Sequence, residues 1–347
     1  MNSEAHGYAA IRGALLVAVL DRLIARSVAV HPLLAKHGLS LETLRDPYVY
    51  LSLLEYVGFL EDAADLSGDT HIGARIGTDI RAGDLGPIGL LLSLSRSIYV
   101  GIDRMVRSAA ALQTGTDIAL LEDGKDVVWS YRLIEGRIWP RRQDAEFSAV
   151  ATVQVIRNNF LRRWRPTQVH FEHVAHGDPQ FLERYFGCPV IFGQATNRII
   201  MDRGPLVELH RREDTALISV LERHVADLID ATPDRSNLSK AARSVISSGL
   251  GLRAVSVERV ADTLGLSPRN LQRKLAEEGT SVRDLLDDIR RHRAEELLSE
   301  GNIPIGEIAN ALGYADGTAF WRAHKRWSEL TPREIKAAAR TDVPRSS

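Results

Sequence analysis

Apolar positions recur three and four apart over residues 11–28, 48–66, 98–113, 145–163 and 213–230, the spacing that predicts amphipathic helices. Residues 117–121 and 127–133 are strand-like instead. The stretch 122–126 between them supplies an Asp-Gly turn, which predicts a hairpin. Residues 168–172, 189–192 and 198–201 read as further short strands. From about residue 237 the strand pattern stops and strong helix punctuation begins. Ser267-Pro268 places a capping residue before a proline at the first helical position. Ser281 with Asp284 resembles a capping box, and Thr331 with Glu334 forms a full one. Gly251, Gly265, Gly279, Gly301 and Gly313 stand where helices should stop. The pattern predicts an α+β N-terminal domain over 1–230 with a small, mostly antiparallel sheet. A linker at 231–236, where proline, small and polar residues cluster, follows, and then an all-α domain over 237–347.

The all-α part contains a repeat. Residues 257–265 recur 48 positions later as 305–313, each a short apolar-periodic helix ending in glycine. Ala261 and Ala309 are small enough to let a second helix approach, and Gly265 and Gly313 permit a sharp turn. A helix follows each glycine, at 268–278 and 317–327. Two such helices form a helix-turn-helix, whose second member enters the major groove of DNA. Two units are therefore expected, at about 257–278 and 305–327.

In the first unit Leu271 and Leu275 should face inward, leaving Arg269, Gln272, Arg273 and Ala276 on an outward stripe. Arginine suits guanine and glutamine suits adenine. In the second, Phe320 is the inward anchor, one residue later than strict repetition places it. Gly317, Thr318 and Arg322 then face out, with Lys325 and Arg326 further along for phosphates. Residues 281–300 would form the connecting linker helix, about 30 Å long at ~1.5 Å per residue. Neighbouring major-groove faces lie ~34 Å apart. One chain could thus set two recognition helices on one side of a duplex.

Residues 250–340 resemble the DNA-binding domain of the AraC/XylS family of transcription regulators. The likeness rests on Val260-Ala261, 264–267, 271–273, 305–309, 312–314, 320–322 and 330–332. It implies base readout by Arg269, Gln272 and Arg273, and by Gly317, Thr318 and Arg322. Two positions depart from the family: His324 stands where it usually has an aromatic core residue, and Glu329 where it usually has glycine. The stretches 90–94, 169–171 and 185–192 resemble the arabinose-binding-like regulatory domain of one subgroup. That resemblance implies double-stranded operator DNA and RNA polymerase as partners, a small-molecule effector or dimerisation through the N-terminal domain, and activation of transcription. The alternatives are an effector-independent regulator, a repressor, or an enzyme domain fused to a DNA-binding module.

Composition narrows the remaining classes. The 347 residues carry 44 Lys+Arg against 45 Asp+Glu, and 44% are hydrophobic, enough for substantial cores. The charge divides unevenly: residues 232–347 hold 19 basic against 16 acidic side chains, and the rest 25 against 29. The apolar run at 13–20 is followed by Asp21 and Arg22, too short for a membrane span, and the chain is expected in the cytoplasm. A single cysteine, Cys188, allows no internal disulfide and reads as an inert thiol. His170, His173 and His176 do not share a strand face, so no metal site is expected, nor any cofactor. Neither a phosphate loop nor a nucleophile elbow occurs. Leu217, Val220, Leu221, His224 and Leu228 form a helical stripe that could pack on their own domain or on a second subunit of a homodimer.

Overall fold

The computed structural model describes residues 9–230 and 238–336, apart from residues 47, 137, 253, 302, 329, 330 and 333. The expected linker at 231–236 lies outside the described residues. These residues fall into two compact units. One lies within Met1–Val169, His176–Val190 and Arg198–Arg235, the other within His170–Ala175, Ile191–Asn197 and Ser236–Ser347.

The first unit is α+β. It opens with β1 (Ala10–Arg12), α1 (Gly13–Ala25) and α2 (Val30–Lys36), then β2 (Tyr50–Ser52), which pairs antiparallel with β1. The first and second expected helices therefore each begin with a three-residue strand. Ser52 ends β2 and caps α3 (Leu53–Ser67) by accepting from the Glu55 N–H. Next come α4 (Ile72–Gly77), α5 (Gly86–Leu94) and α6 (Ile98–Ser108). Helix α5 has Pro87 in its first turn, a start signal that its nearly uniform apolar content hides from a periodicity reading.

The hairpin of β3 (Thr116–Asp123) and β4 (Asp126–Leu133) is longer than its sequence pattern, because pairing runs to Asp123 opposite Asp126. The loop is thus Gly124-Lys125 rather than Asp-Gly. Helix α7 (Arg142–Asn159) follows, then β5 (Gln168–His170), α8 (Pro179–Phe186), β6 (Val190–Ile191), β7 (Asn197–Asp202), α9 (Arg203–Val207) and α10 (Thr215–Asp230). The larger sheet has the order β3-β4-β7-β5-β6. It is mixed. Val169 N–H donates to Pro189 O and Phe171 N–H to Ile191 O, so β5 and β6 step in the same direction. On α10, Ile218 and Val225 are buried, whereas Leu217 and Val220 are exposed.

The second unit holds six helices among the described residues: α11 (Leu238–Gly249), α12 (Val257–Thr263), α13 (Pro268–Glu277), α14 (Val282–Ser299), α15 (Ile305–Ala311) and α16 (Gly317–Trp327). One apolar core joins them, built on Ile246, Val260, Leu271, Leu275, Ile289, Leu297, Ile308 and Phe320. Ala195 belongs to that core and Val174 packs against it, although both lie far upstream in the sequence. Among the described residues, no helix is long and apolar enough to cross a membrane.

Candidate nucleic-acid interface

The two short helices of the repeat end in the same way. Leu266 N–H donates to Ala261 O and Gly265 N–H to Asp262 O; Tyr314 N–H donates to Ala309 O and Gly313 N–H to Asn310 O. Each pair is the double bond of a Schellman cap, which needs a left-handed residue at its centre. Gly265 (φ +65°) and Gly313 (φ +72°) occupy that place. Any side chain there would strain the backbone, so the glycines set the angle at which the second helix leaves.

The second helices are started by their own caps. Ser267 Oγ accepts from Asn270 N–H and Pro268 fills the first turn of α13. Asp316 Oδ1 accepts from Ala319 N–H to start α16. Helix α16 begins 49 positions after α13 although the preceding glycines are 48 apart. The second turn is one residue longer, which is why Phe320 rather than residue 319 is the anchor. Leu271, Leu275 and Phe320 are fully buried, as their spacing predicts.

The opposite faces are open. Arg269, Gln272, Arg273 and Ala276 are exposed on α13; Thr318, Arg322, Lys325 and Arg326 are exposed on α16, with Gly317 half-buried. A Cβ built on Gly317 would meet only Ile305, at 3.9 Å, so the site has room for a side chain. Arg273 forms an ion pair with Glu277 and donates to Asn270 Oδ1 at 3.1 Å, both along its own helix. Lys325 Nζ lies 5.4 Å from the centre of the exposed Trp321 ring, which holds the cation on that face.

Helix α14 has 18 residues, about 27 Å at ~1.5 Å per residue, and is capped by Ser281 Oγ accepting from Asp284 N–H. It is fastened to the second turn by a residue the sequence did not single out. Arg290 donates from Nε to Leu312 O at 3.0 Å and from Nη2 to Gly313 O at 3.1 Å, with its guanidinium 4.3 Å from the Tyr314 ring centre. Its partners lie 22 to 24 positions away, beyond any local pattern. Two residues before Arg290 on α14, Asp288 pairs with Arg243 of α11 at 2.6 Å. The first helix-turn-helix is tied similarly: Glu278, just after α13, accepts from Leu238 and Ser239 N–H, which satisfies the start of α11.

His324 is buried in α16, its ring edge-on to Phe320 and to Trp327 at centroid distances of 5.7 and 6.3 Å. It fills the aromatic position of the family with an imidazole. Burial lowers its pKa below the ordinary histidine value, against a smaller pull upward from Glu295. The other departure, Glu329, lies outside the described residues. The Thr331–Glu334 capping box forms reciprocally.

Elsewhere, the Cys188 thiol is partly buried, and burial pushes its pKa up to about 11, away from thiolate reactivity. His173 stacks on Phe171 and donates from Nδ1 to Val174 O at 2.9 Å. Among the described residues, no three His, Cys, Asp or Glu side chains gather as a metal site would require.

These features agree with what the chain resembles. Residues 28–208 match the family described as the arabinose-binding domain of AraC transcription regulator, N-terminal, and residues 260–338 match a helix-turn-helix domain. The transcriptional regulator VirS of Mycobacterium tuberculosis is 26% identical over 296 residues, covering 83% of this chain and 85% of VirS. The ornithine utilization regulator of Pseudomonas aeruginosa is 24% identical over 333 residues, 91% of this chain and 96% of that protein. The regulator VqsM of the same organism is 33% identical over 81 residues, 23% of this chain and 25% of VqsM. With its N-terminal family match spanning more than half the chain and two Schellman-capped helix-turn-helix units downstream, the chain belongs to the AraC family of transcription regulators.

Proposed function

We propose that the protein is a cytoplasmic activator that reads an asymmetric operator with α13 and α16 and answers to a small-molecule effector through its N-terminal domain. The observation that carries this reading is the pairing of two capped recognition helices, each with its apolar side buried and its basic side open. Arg269, Gln272 and Arg273 read bases in one half-site; Gly317, Thr318 and Arg322 face the other; Lys325 and Arg326 neutralise phosphates. The DNA-binding domain lies within 237–347, and residues 170–175 and 191–197 complete its core. Regulation, not catalysis, is its work, and RNA polymerase is the partner through which an activator acts.

Leu217 and Val220, exposed on α10, are the apolar pair offered to a second copy. Analytical ultracentrifugation of the full chain and of Val220→Glu tests that arm: a dimer converted to monomer supports it. The central test is a mobility-shift assay with duplex from upstream of the protein's own locus. Retardation by the full chain that persists against excess unrelated duplex supports the reading, and retardation abolished equally by any duplex refutes sequence-specific regulation.

A further inference from the structure

The first unit encloses a cavity of about 90 Å³ between α7 and the β3–β4 hairpin. We propose that it is a binding site for a compact, uncharged, mostly apolar molecule bearing one hydroxyl or amide group. The inference rests on the reading that this domain senses an effector, and it names the site and the chemistry of the ligand.

The hairpin register explains the cavity wall. Ile118 pairs with Tyr131 and Leu120 with Trp129, so Thr116, Ile118, Trp129 and Tyr131 share one face. Helix α7 presents Asp144, Phe147, Ser148 and Ala151 to the same space. Leu15, Ile88 and Met105 complete an apolar floor, all buried, whereas Gln113, Thr116 and Ile118 are half-exposed and mark where it opens. At ~10–15 Å³ per water-sized position, the space suits roughly six to nine non-hydrogen atoms.

The polar groups are few and their bonding is directional. Gln113 Nε2 donates to Thr116 Oγ1 at 2.6 Å and to Tyr131 Oη at 3.2 Å, and Tyr131 Oη donates to Asp144 Oδ2 at 2.6 Å. Both amide hydrogens of Gln113 are engaged, so what it offers a ligand is its carbonyl oxygen. Thr116 accepts there and keeps its own hydrogen to give. Trp129 is 2% exposed, lines the cavity and leaves its indole N–H with no acceptor among the described residues. A buried donor in that state costs ~1–3 kcal/mol, which a ligand oxygen would relieve.

The ligand therefore needs an oxygen acceptor for Trp129 and Thr116 and a donor for Gln113. Asp144 disfavours a carboxylate, because like charges in a buried site repel strongly. A pentose, with a hydroxyl on nearly every carbon, would leave most of them facing Leu15, Ile88, Met105 and Phe147. The family description names arabinose; the lining here selects cyclohexanol, phenol or benzamide-like molecules instead.

Titration calorimetry on the full-length protein, without DNA, tests the site with phenol, cyclohexanol and benzamide against benzoate and L-arabinose. Saturable binding of a neutral probe at millimolar concentration or tighter supports it, provided that Trp129→Phe weakens binding about five- to tenfold and Ala151→Leu abolishes it. Should Ala151→Leu fail to fold, Trp129→Phe together with Thr116→Val decides. No saturable binding of any neutral probe, equal binding by the variants, or preference for arabinose or benzoate overturns the proposal. Operator affinity with and without the bound probe is read separately. Binding without any change in operator affinity keeps the site and removes the sensing reading; intact operator binding with no probe bound does the reverse for the site alone.

Discussion

Arg293, wholly buried in α14, donates from Nη2 to the main-chain oxygen of Glu172 at 2.6 Å, across 121 positions of sequence. The same nitrogen donates to Gln194 O at 2.6 Å, and Nη1 pairs with Glu296 at 2.7 Å. A buried guanidinium is tolerable only when its donors are met by acceptors held in place. Two of these acceptors come from residues 170–175 and 191–197. The DNA-binding unit therefore takes part of its core from segments that precede its helices by more than forty residues.

A fragment beginning at residue 237 should consequently be weaker than the same helices in the full chain. It loses two acceptors for Arg293, at ~1–3 kcal/mol each, together with the packing of Val174 and Ala195. The expected drop in Tm is about 10 °C or more for a unit of this size. Arg293→Met should raise the fragment's Tm and lower that of the full chain. Thermal melts by circular dichroism check both; equal melting of fragment and full chain would mean the two segments add nothing.

That coupling was invisible in the sequence, and the reason is physical. Schellman glycines, Ser-Pro starts and the capping box act within five residues, so the two helix-turn-helix units and their exposed stripes could be read directly. The one-residue shift of Phe320 is legible too, because no large apolar side chain stands at 319, where strict repetition would place the anchor. Arg290, Arg293 and the parallel pairing of β5 with β6 depend on partners tens of residues away, for which a lone arginine or a short apolar run carries no local mark. The strands β1 and β2 carry no such mark either, because three residues are too few to show a period of two.

Base readers and phosphate contacts should separate on substitution. Arg273→Ala removes a side chain able to grip guanine, worth ~1–3 kcal/mol of discrimination, so preference between operator and random duplex should shrink. Arg326→Ala should weaken both about equally and flatten the salt slope by about one. The Arg273–Glu277 pair is exposed and worth only ~0.3–0.5 kcal/mol, so it does not prevent Arg273 from turning to DNA. Glu277→Ala should tighten binding slightly. The measurement is affinity for specific and random duplexes across a salt series; equal losses for both duplexes in Arg273→Ala would remove it from the base-reading set.

His324 gives the second unit a pH dependence of known sign. Its folded pKa is depressed by burial, so the fold requires the neutral ring. Stability is fully present above the unfolded value of ~6.5 and is lost as pH falls from there toward the folded value. Nδ1 is buried without a partner among the described residues, so His324→Phe should add about 1 kcal/mol and flatten the curve below pH ~6.5. Urea melts of wild type and variant at pH ~7.5 and ~5.5 test it. If the difference between the two proteins were the same at both pH values, protonation of His324 would not be the cause.

The two half-sites should be read unequally. Helix α13 offers Arg269, Gln272 and Arg273, three long exposed side chains with directional donors. Helix α16 offers Gly317, Thr318 and Arg322 at the matching places. Glycine has no side chain, and threonine reaches only a nearby base or a thymine methyl. Each missing bidentate contact forgoes ~1–3 kcal/mol of discrimination, so base changes under α13 should cost more affinity than those under α16. Trp321, 42% exposed on α16, works the other way if it packs on thymine methyls, and Trp321→Ala isolates that contribution. Because a Cβ at Gly317 meets nothing closer than 3.9 Å, Gly317→Gln can be introduced without disturbing the fold. It should create a base preference in the second half-site that the natural chain lacks. A single-base scan across a footprinted operator reads all three proteins. Equal or greater losses in the second half-site of the unaltered chain would show that α16 reads bases through something other than its side-chain inventory.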